Sequence, residues 1–242
     1  MEKIKVSIIT VCLNSEKTIE RTIKSVMNQT YSNIEYIIVD GMSTDGTMDI
    51  INKYSSKIKL IRERDNGLYD AMNKGIKNAT GEMICLLNSD DWYEPNTIEE
   101  VMRVYKENTA CVIYGMLRRY YNGKVHSVQF MHDAFLETEG MCHSSCFISR
   151  KAYEIGGLYN LEYRICSDLD FLLRLKESLK VEFIPIYKIL TNFSMGGVSA
   201  NPAIVNDINL IKYRHGIISK KSYYINSFKE RIHLLIQKLH LN

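Results

Sequence analysis

The sequence predicts an α/β fold built on a mostly parallel sheet. Three observations carry this reading. Val6-Ser7-Ile8-Ile9-Thr10-Val11 is a nearly all-β-branched run, as strands buried on both faces are. Strand-like and helix-like segments then alternate at short intervals, which favours right-handed βαβ units. Finally, the apolar run Met83–Leu87 ends abruptly in Asn88-Ser89-Asp90-Asp91-Trp92, which places carboxylates where open α/β sheets bind their ligands.

The elements follow in order. After the first strand, Asn14-Ser15 offers an N-cap, and Ile19, Ile23, Val26 and Met27 recur on one helical face. Glu35–Val39 reads as the second strand, broken by Asp40-Gly41. Ser43-Thr44-Asp45 can cap a helix carrying Met48, Ile51 and Tyr54. Lys57–Arg62 reads as a third strand, Leu68–Asn78 as a helix and Met83–Leu87 as the central strand. A helix follows Pro95, with Ile98, Val101, Met102 and Tyr105 on its apolar face, and then a strand over Ala110–Met116. Asn122-Gly123 marks a hairpin, because that dipeptide supplies the positive φ of a tight turn.

The 242 residues suit one large domain over 1–219, with a nucleotide-binding half at 1–116 and a half at 117–219 free to shape a different pocket, plus an appended helix over 220–242. The amino terminus lacks a signal-peptide apolar region, and no apolar run is long enough to span a bilayer; a cytoplasmic protein is expected. Cys12, Cys85 and Cys111 lie in apolar runs, as small buried hydrophobes of a reducing compartment do. Cys142-His143-Ser144-Ser145-Cys146 has ligand-type residues but no second Cys/His pair at structural-zinc spacing. Beyond residue 219 stand five Lys/Arg against Glu230 alone, a surplus of four. The chain total is +3, so the remainder is −1 and offers no basic face for nucleic acid. In the tail, Ile225, Phe228, Ile232, Leu235 and Leu239 step by three and four residues. This apolar seam suits packing on the protein or on a second copy, with an anionic membrane surface as the functional alternative.

Five segments in order resemble family 2 nucleotide-sugar glycosyltransferases of the GT-A fold. They are Val6–Asn14, Val39–Thr47, Asp70–Gly75, Asn88–Asp91 and Ser167–Asp170, from a resemblance covering about residues 4–200. The resemblance implies a Rossmann-like central sheet, a small acceptor-side region, and transfer of a sugar from a nucleoside-diphosphate sugar, UDP-linked in the first instance. The acceptor would be a glycan or lipid-linked molecule in polysaccharide or glycoconjugate synthesis. Inverting, non-processive transfer is expected, since the Gln-x-x-Arg-Trp motif and membrane spans of processive members are absent from the sequence.

Transfer needs a hold on base and ribose, charge neutralisation on the leaving diphosphate, and a base for the acceptor hydroxyl. The resemblance implies that Asp40 accepts a base-edge N–H; an Asx-turn with Ser43 is the structural alternative. Gly41 stands where relatives often carry a second carboxylate. Thr10, Asn14, Asp65, Asp70, Asn73, Asn88 and Ser89 are the other expected nucleotide-sugar contacts, and Met72 replaces a frequent Arg. Asp90 is the expected ligand of Mn²⁺ or Mg²⁺, which is held by one or two carboxylates plus phosphate oxygens. Asn88 takes the place of the first Asp of the D-x-D motif, and Asp91 is ranked as a cap of the next turn.

Asp168 is the expected general base, with an N-cap of its helix as the compatible alternative. Asp170 is read as a surface partner of Arg174. His143 and Trp92 are weaker acceptor-side candidates, and Ser194–Ser199 a lid hinge. A nucleotidyltransferase lacks support because no Gly-rich phosphate loop follows the first strand; a catalytically silent sugar-binding or scaffold relative remains the other class.

Overall fold

In the computed structural model, residues 3–197 and 204–240 are described, with side chains through residue 230. A single nine-stranded mixed sheet organises them, in the order β3-β2-β1-β4-β8-β6-β9-β5 with β7 paired to β6. The strands are β1 (Val6–Cys12), β2 (Ile34–Asp40), β3 (Lys59–Arg62), β4 (Met83–Leu86), β5 (Trp92–Tyr93), β6 (Cys111–Tyr121), β7 (Lys124–Gln129), β8 (Cys146–Ser149) and β9 (Glu182–Ser194). The helices are α1 (Ile19–Met27), α2 (Thr47–Asn52), α3 (Leu68–Asn78), α4 (Thr97–Val104), α5 (Leu136–Glu139), α6 (Arg150–Gly156), α7 (Ser167–Glu177), α8 (Ile204–Arg214) and α9 (Lys220–His240).

Every residue of β1 is buried, and alternation splits its side chains between two cores. Ile8 and Cys12 pack with Ile19, Ile23, Ile98 and Val101 from α1 and α4. Ile9 and Val11 pack with Met72 and Ile76 of α3 and with Phe171 and Leu172 of α7. Gly75 lets α3 sit this close, because a Cβ there would overlap Ile9. Strands β3-β2-β1-β4 are parallel, and the chain reverses direction of build between β2 and β4 on either side of β1. The crevice beyond the carboxyl ends of β1 and β4 is therefore the expected ligand position.

Several local expectations are corrected. Asn14-Ser15 does not cap α1: Thr18 occupies the N-cap, and Asn14 turns the chain at φ 51°. Gly46, not Ser43–Asp45, is the N-cap of α2, although Asp45 Oδ1 accepts the Thr47 N–H at 3.0 Å. Residues 55–57 form a 3₁₀ turn, so β3 begins at Lys59. Asn96 stands at the N-cap of α4, leaving Asp91 free of that duty. The Asn122-Gly123 turn forms as predicted, with φ 49° and 74° joining β6 to β7. The division at residue 116 falls inside β6, whose 111–121 span belongs to the common sheet.

Strand β9 was not legible in the sequence because Pro185 interrupts its β pattern. It pairs with β6 in parallel, with register shifts at Gly115/Met116 where Leu190 covers Gly115. Helix α8 was likewise missed. Asp170 is buried rather than superficial: its carboxylate accepts from Arg174 Nε at 2.9 Å and lies 3.1 Å from His215 Nε2, beyond the end of α8.

Helix α9 stacks Tyr223 on Tyr213 of α8, with ring centroids 5.1 Å apart. Ile225 and Phe228 of the tail seam are exposed, whereas the side chains of Ile232, Leu235 and Leu239 lie outside the described residues, as do Val198 and Ser199 of the 194–199 segment. Among the described residues, no helix is long and apolar enough to cross a membrane.

Candidate active site

The loops leaving β1, β2 and β4, with the start of α7, enclose a cleft of about 1070 Å³. That volume lies at the upper end of the roughly 300–1,000 Å³ of small-molecule sites.

On one side the β1 and β2 loops are laced together. Asn14 N–H donates to Ser43 Oγ at 2.9 Å, and Asn14 Oδ1 accepts the Thr44 N–H at 2.9 Å. Ser15 N–H donates to Thr47 Oγ1 at 2.7 Å, while the Ser15 and Ser89 hydroxyls share a hydrogen bond of 2.8 Å. Asn14, Asp65, Asn88, Ser89, Asp90 and Asp168 all line the cleft.

Four expected contacts lie off the cleft wall. Thr10 is fully buried and accepts from Tyr36 Oη at 3.1 Å, because its position on β1 turns it into the core. Asp40 is fully buried; it accepts the Ser43 N–H at 3.1 Å and Arg62 Nε at 3.2 Å, so the Asx-turn alternative describes its contacts. Asp70 Oδ2 accepts the Asn66 N–H at 2.9 Å, closing the turn before α3. Asn73 is spent on the Tyr159 backbone, donating to its carbonyl at 2.9 Å and accepting its N–H at 3.0 Å. These side chains shape the wall from behind. Lys74, tied to Glu63 at 3.3 Å and Asp70 at 3.6 Å, is likewise engaged outside the cleft.

Gly41 has a physical reason. A Cβ at that position would overlap Asp65 Oδ2, so the Asp65 carboxylate fills the space beside Asp40 that a side chain at 41 would take. Asp65 Oδ1 also accepts the Gly67 N–H at 2.9 Å, fixing its direction.

The carboxylates after β4 play different parts. Asp91 is fully buried, accepting from Ser144 Oγ at 2.7 Å and from the Ser194 N–H at 2.9 Å. It pins the loop to β9, and burial together with the neighbouring Asp90 charge raises its pKa. Asp90 faces the cleft, and its carboxylate pairs with no other side chain among the described residues. Burial raises its pKa too, with Arg21 and His143 opposing. Gly197 stands beside it, where a Cβ would lie 3.4 Å from Asp90 Oδ2, about van der Waals contact.

Arg21 secures this loop from α1. Its guanidinium lies 3.6 Å from the Trp92 ring centroid and donates to the Asp90 carbonyl at 2.7 Å. Trp92 is thus held between Arg21 and Tyr120, whose ring is 4.7 Å away.

Asp168 lines the same cleft as the second residue of α7; Cys166 holds the N-cap, so the capping role does not apply. Asp168 Oδ1 accepts from Tyr69 Oη at 2.9 Å and from the Leu169 N–H at 3.0 Å. Its Oδ2 meets His143 Nδ1 at 3.1 Å. His143 Nε2 in turn lies 3.4 Å from Asn88 Oδ1. Burial works against the imidazolium, yet the attraction of Asp168, Asp91 and Asp90 outweighs it and raises the His143 pKa. Tyr69 was not singled out by sequence; its phenol is pushed well above the usual range by burial and by Asp168. No spacing rule links residues 69, 143 and 168, which converge only through packing.

Comparison with known proteins gives a consistent set. A family model described as glycosyl transferase family 2 matches residues 7–155. The PGL/p-HBAD biosynthesis glycosyltransferase of Mycobacterium bovis is 35% identical over 175 residues, covering 69% of this chain and 68% of its own. The putative glycosyltransferase EpsH of Bacillus subtilis is 39% identical over 116 residues, 47% of this chain and 34% of that protein. Among solved structures, S. aureus TarS 1–349 with UDP-GlcNAc superposes with a TM-score of 0.69 at 19% identity, covering 86% of this chain and 65% of that one. The mannosyltransferase PcManGT of Pyrobaculum calidifontis, with GDP-Man and Mn²⁺, gives 0.69 at 14%, covering 91% and 66%. The chain spans 39% of the longer TarS chain.

Proposed function

Because the chain belongs to glycosyl transferase family 2, we propose that it transfers a sugar, with inversion and non-processively, from a nucleoside diphosphate, UDP first among them, to an acceptor hydroxyl. The observation that carries this is that two carboxylates from separate elements, Asp90 after β4 and Asp168 on α7, line one cleft. UDP and GDP complexes of the structural neighbours support the donor class.

The acceptor hydroxyl gives its proton to Asp168, and its oxygen lone pair forms the bond to the anomeric carbon. The bond from that carbon to the diphosphate oxygen breaks on the opposite face, and the electron pair leaves with the diphosphate. Attack from the face opposite the diphosphate inverts the anomeric configuration, and Asp168, which lines the same cleft as Asp90, is the proposed base for it. His143 and Tyr69 hold both oxygens of the Asp168 carboxylate in a fixed plane.

Among the described residues no cluster of three or more His, Cys, Asp or Glu side chains could hold a metal by itself; the unpaired Asp90 carboxylate, with Asn88 as a neutral neighbour, would hold a divalent cation together with the diphosphate oxygens. Mn²⁺ or Mg²⁺ bound there supplies positive charge against the departing diphosphate. Cytoplasmic placement, and a glycan or lipid-linked acceptor, complete the reading.

The test is thermal stabilisation by UDP, GDP, CDP and CMP, each with Mn²⁺ or EDTA. Stabilisation by one diphosphate that needs Mn²⁺ supports the reading, since native-state ligands raise stability by mass action. No shift with any nucleotide counts against donor binding and favours the silent relative.

A further inference from the structure

The acceptor side of the cleft is apolar. From Asp168 outward it is walled by Leu169 of α7, Met141 before His143, Leu117 of β6, Met131 after β7, Phe193 of β9 and Ile208 of α8. Leu117 and Arg119 alternate onto the same face of β6, so the Arg119 guanidinium shares this wall with Leu117. The further polar side chains in this region, Gln129 and Glu139, are exposed at the outer edge. A glycan chain seated there would bury hydroxyls against methyl and methylene groups with no partners, which is costly. An apolar body instead gains from leaving water.

The geometry points to an amphiphilic acceptor, an alcohol or short glycoside carrying an apolar aglycone, whose hydroxyl meets Asp168 and whose apolar body lies along this wall. The inference rests on Asp168 being the acceptor-side base. The wall is continuous with that residue through Leu169, and with His143 through Met141 and Cys142. Six residues from six separate chain segments line this cleft together with Asp168. Arg119 sits where an anionic group on the acceptor's outer end would find a cation.

The experiment is calorimetric titration of the full chain with methyl, hexyl and octyl β-D-glucoside below their micellar concentrations, with and without UDP and Mn²⁺. Each fully buried methylene strengthens binding by about fourfold, so partial burial of the chain is expected to raise affinity at least about tenfold from methyl to hexyl. Ile208→Asn and Phe193→Ser are each expected to flatten that rise while leaving any stabilisation by UDP and Mn²⁺ unchanged. Equal affinity for the three glycosides overturns the inference, as does a rise that both variants leave intact. Loss of the nucleotide effect alone, with the chain-length rise present and flattened by the variants, removes the donor reading and leaves the apolar subsite standing.

Discussion

His143 Nδ1 lies 3.1 Å from Asp168 Oδ2, and its Nε2 lies 3.4 Å from Asn88 Oδ1, so one imidazole joins the acceptor-side carboxylate to the motif after the central strand. Both neighbours are hydrogen-bond acceptors when Asp168 is ionised. The arrangement is therefore best satisfied by the doubly protonated ring, in accord with its raised pKa. A cationic ring also offsets the three carboxylates around it.

Removing the proposed base separates chemistry from binding. Asp168→Asn is expected to lower turnover by roughly 10²–10⁴-fold, the range of general-base catalysis. Stabilisation by UDP with Mn²⁺ should persist, because the proposed base acts on the acceptor hydroxyl and not on the diphosphate. Turnover unchanged within error would remove Asp168 from the mechanism.

The His143 pKa predicts a pH signature in metal-free protein. Its folded value exceeds the unfolded one, near 6.5, so its contribution to stability is fully present below about 6.5 and lost as pH rises through the folded value. Chemical denaturation of wild type and His143→Gln in EDTA should give a stability gap that shrinks on going from about pH 6 to alkaline pH. A gap that widens with pH contradicts the assigned protonation.

Asp90→Asn tests the cation site. Excess UDP at about a hundred times its Kd stabilises a native protein by roughly 2.7 kcal/mol. The extra stabilisation that Mn²⁺ gives wild type with UDP should vanish in the variant and in EDTA alike. Retention of a full Mn²⁺ effect places the cation elsewhere.

Gly41→Ala probes the Asp65 carboxylate that fills the space beside it. Making room moves the half-buried Asp65 carboxylate off its hydrogen bond from the Gly67 N–H, at a cost of about 0.5–1.5 kcal/mol. UDP affinity measured by calorimetry should nonetheless fall severalfold, and Asp65→Ala should reproduce that loss. Unchanged affinity in both variants removes Asp65 from the donor contacts.

Much of the fold was written locally. The β-branched run at 6–11, the spacing of Ile19, Ile23 and Val26, the 68–78 helix and the Asn122-Gly123 turn each announce their conformation through short-range rules. Strand β9 did not, because Pro185 and its partner's bulge obey pairing geometry rather than propensity. Of the candidate site, Asp90 and Asp168 stood out through the family-like segments Asn88–Asp91 and Ser167–Asp170, because an acidic residue at a strand end or helix start reads equally well as a cap. Asp40, Asp70, Asn73 and Thr10 carried the same signal, yet their polar atoms are consumed by Ser43, Asn66, Tyr159 and Tyr36.

By itself, then, the sequence determined the class of the fold, the carboxyl-end position of the cleft and the family, since periodicity and motif order depend on neighbours in the chain. Only the tertiary structure decided which polar groups face the cleft and which are sealed behind it. It alone brought Tyr69, His143 and Asp168 together, buried Asp91, and drew six separated segments into one apolar wall. Those outcomes depend on which partners packing delivers within hydrogen-bond reach, and that is set by contacts far apart in sequence.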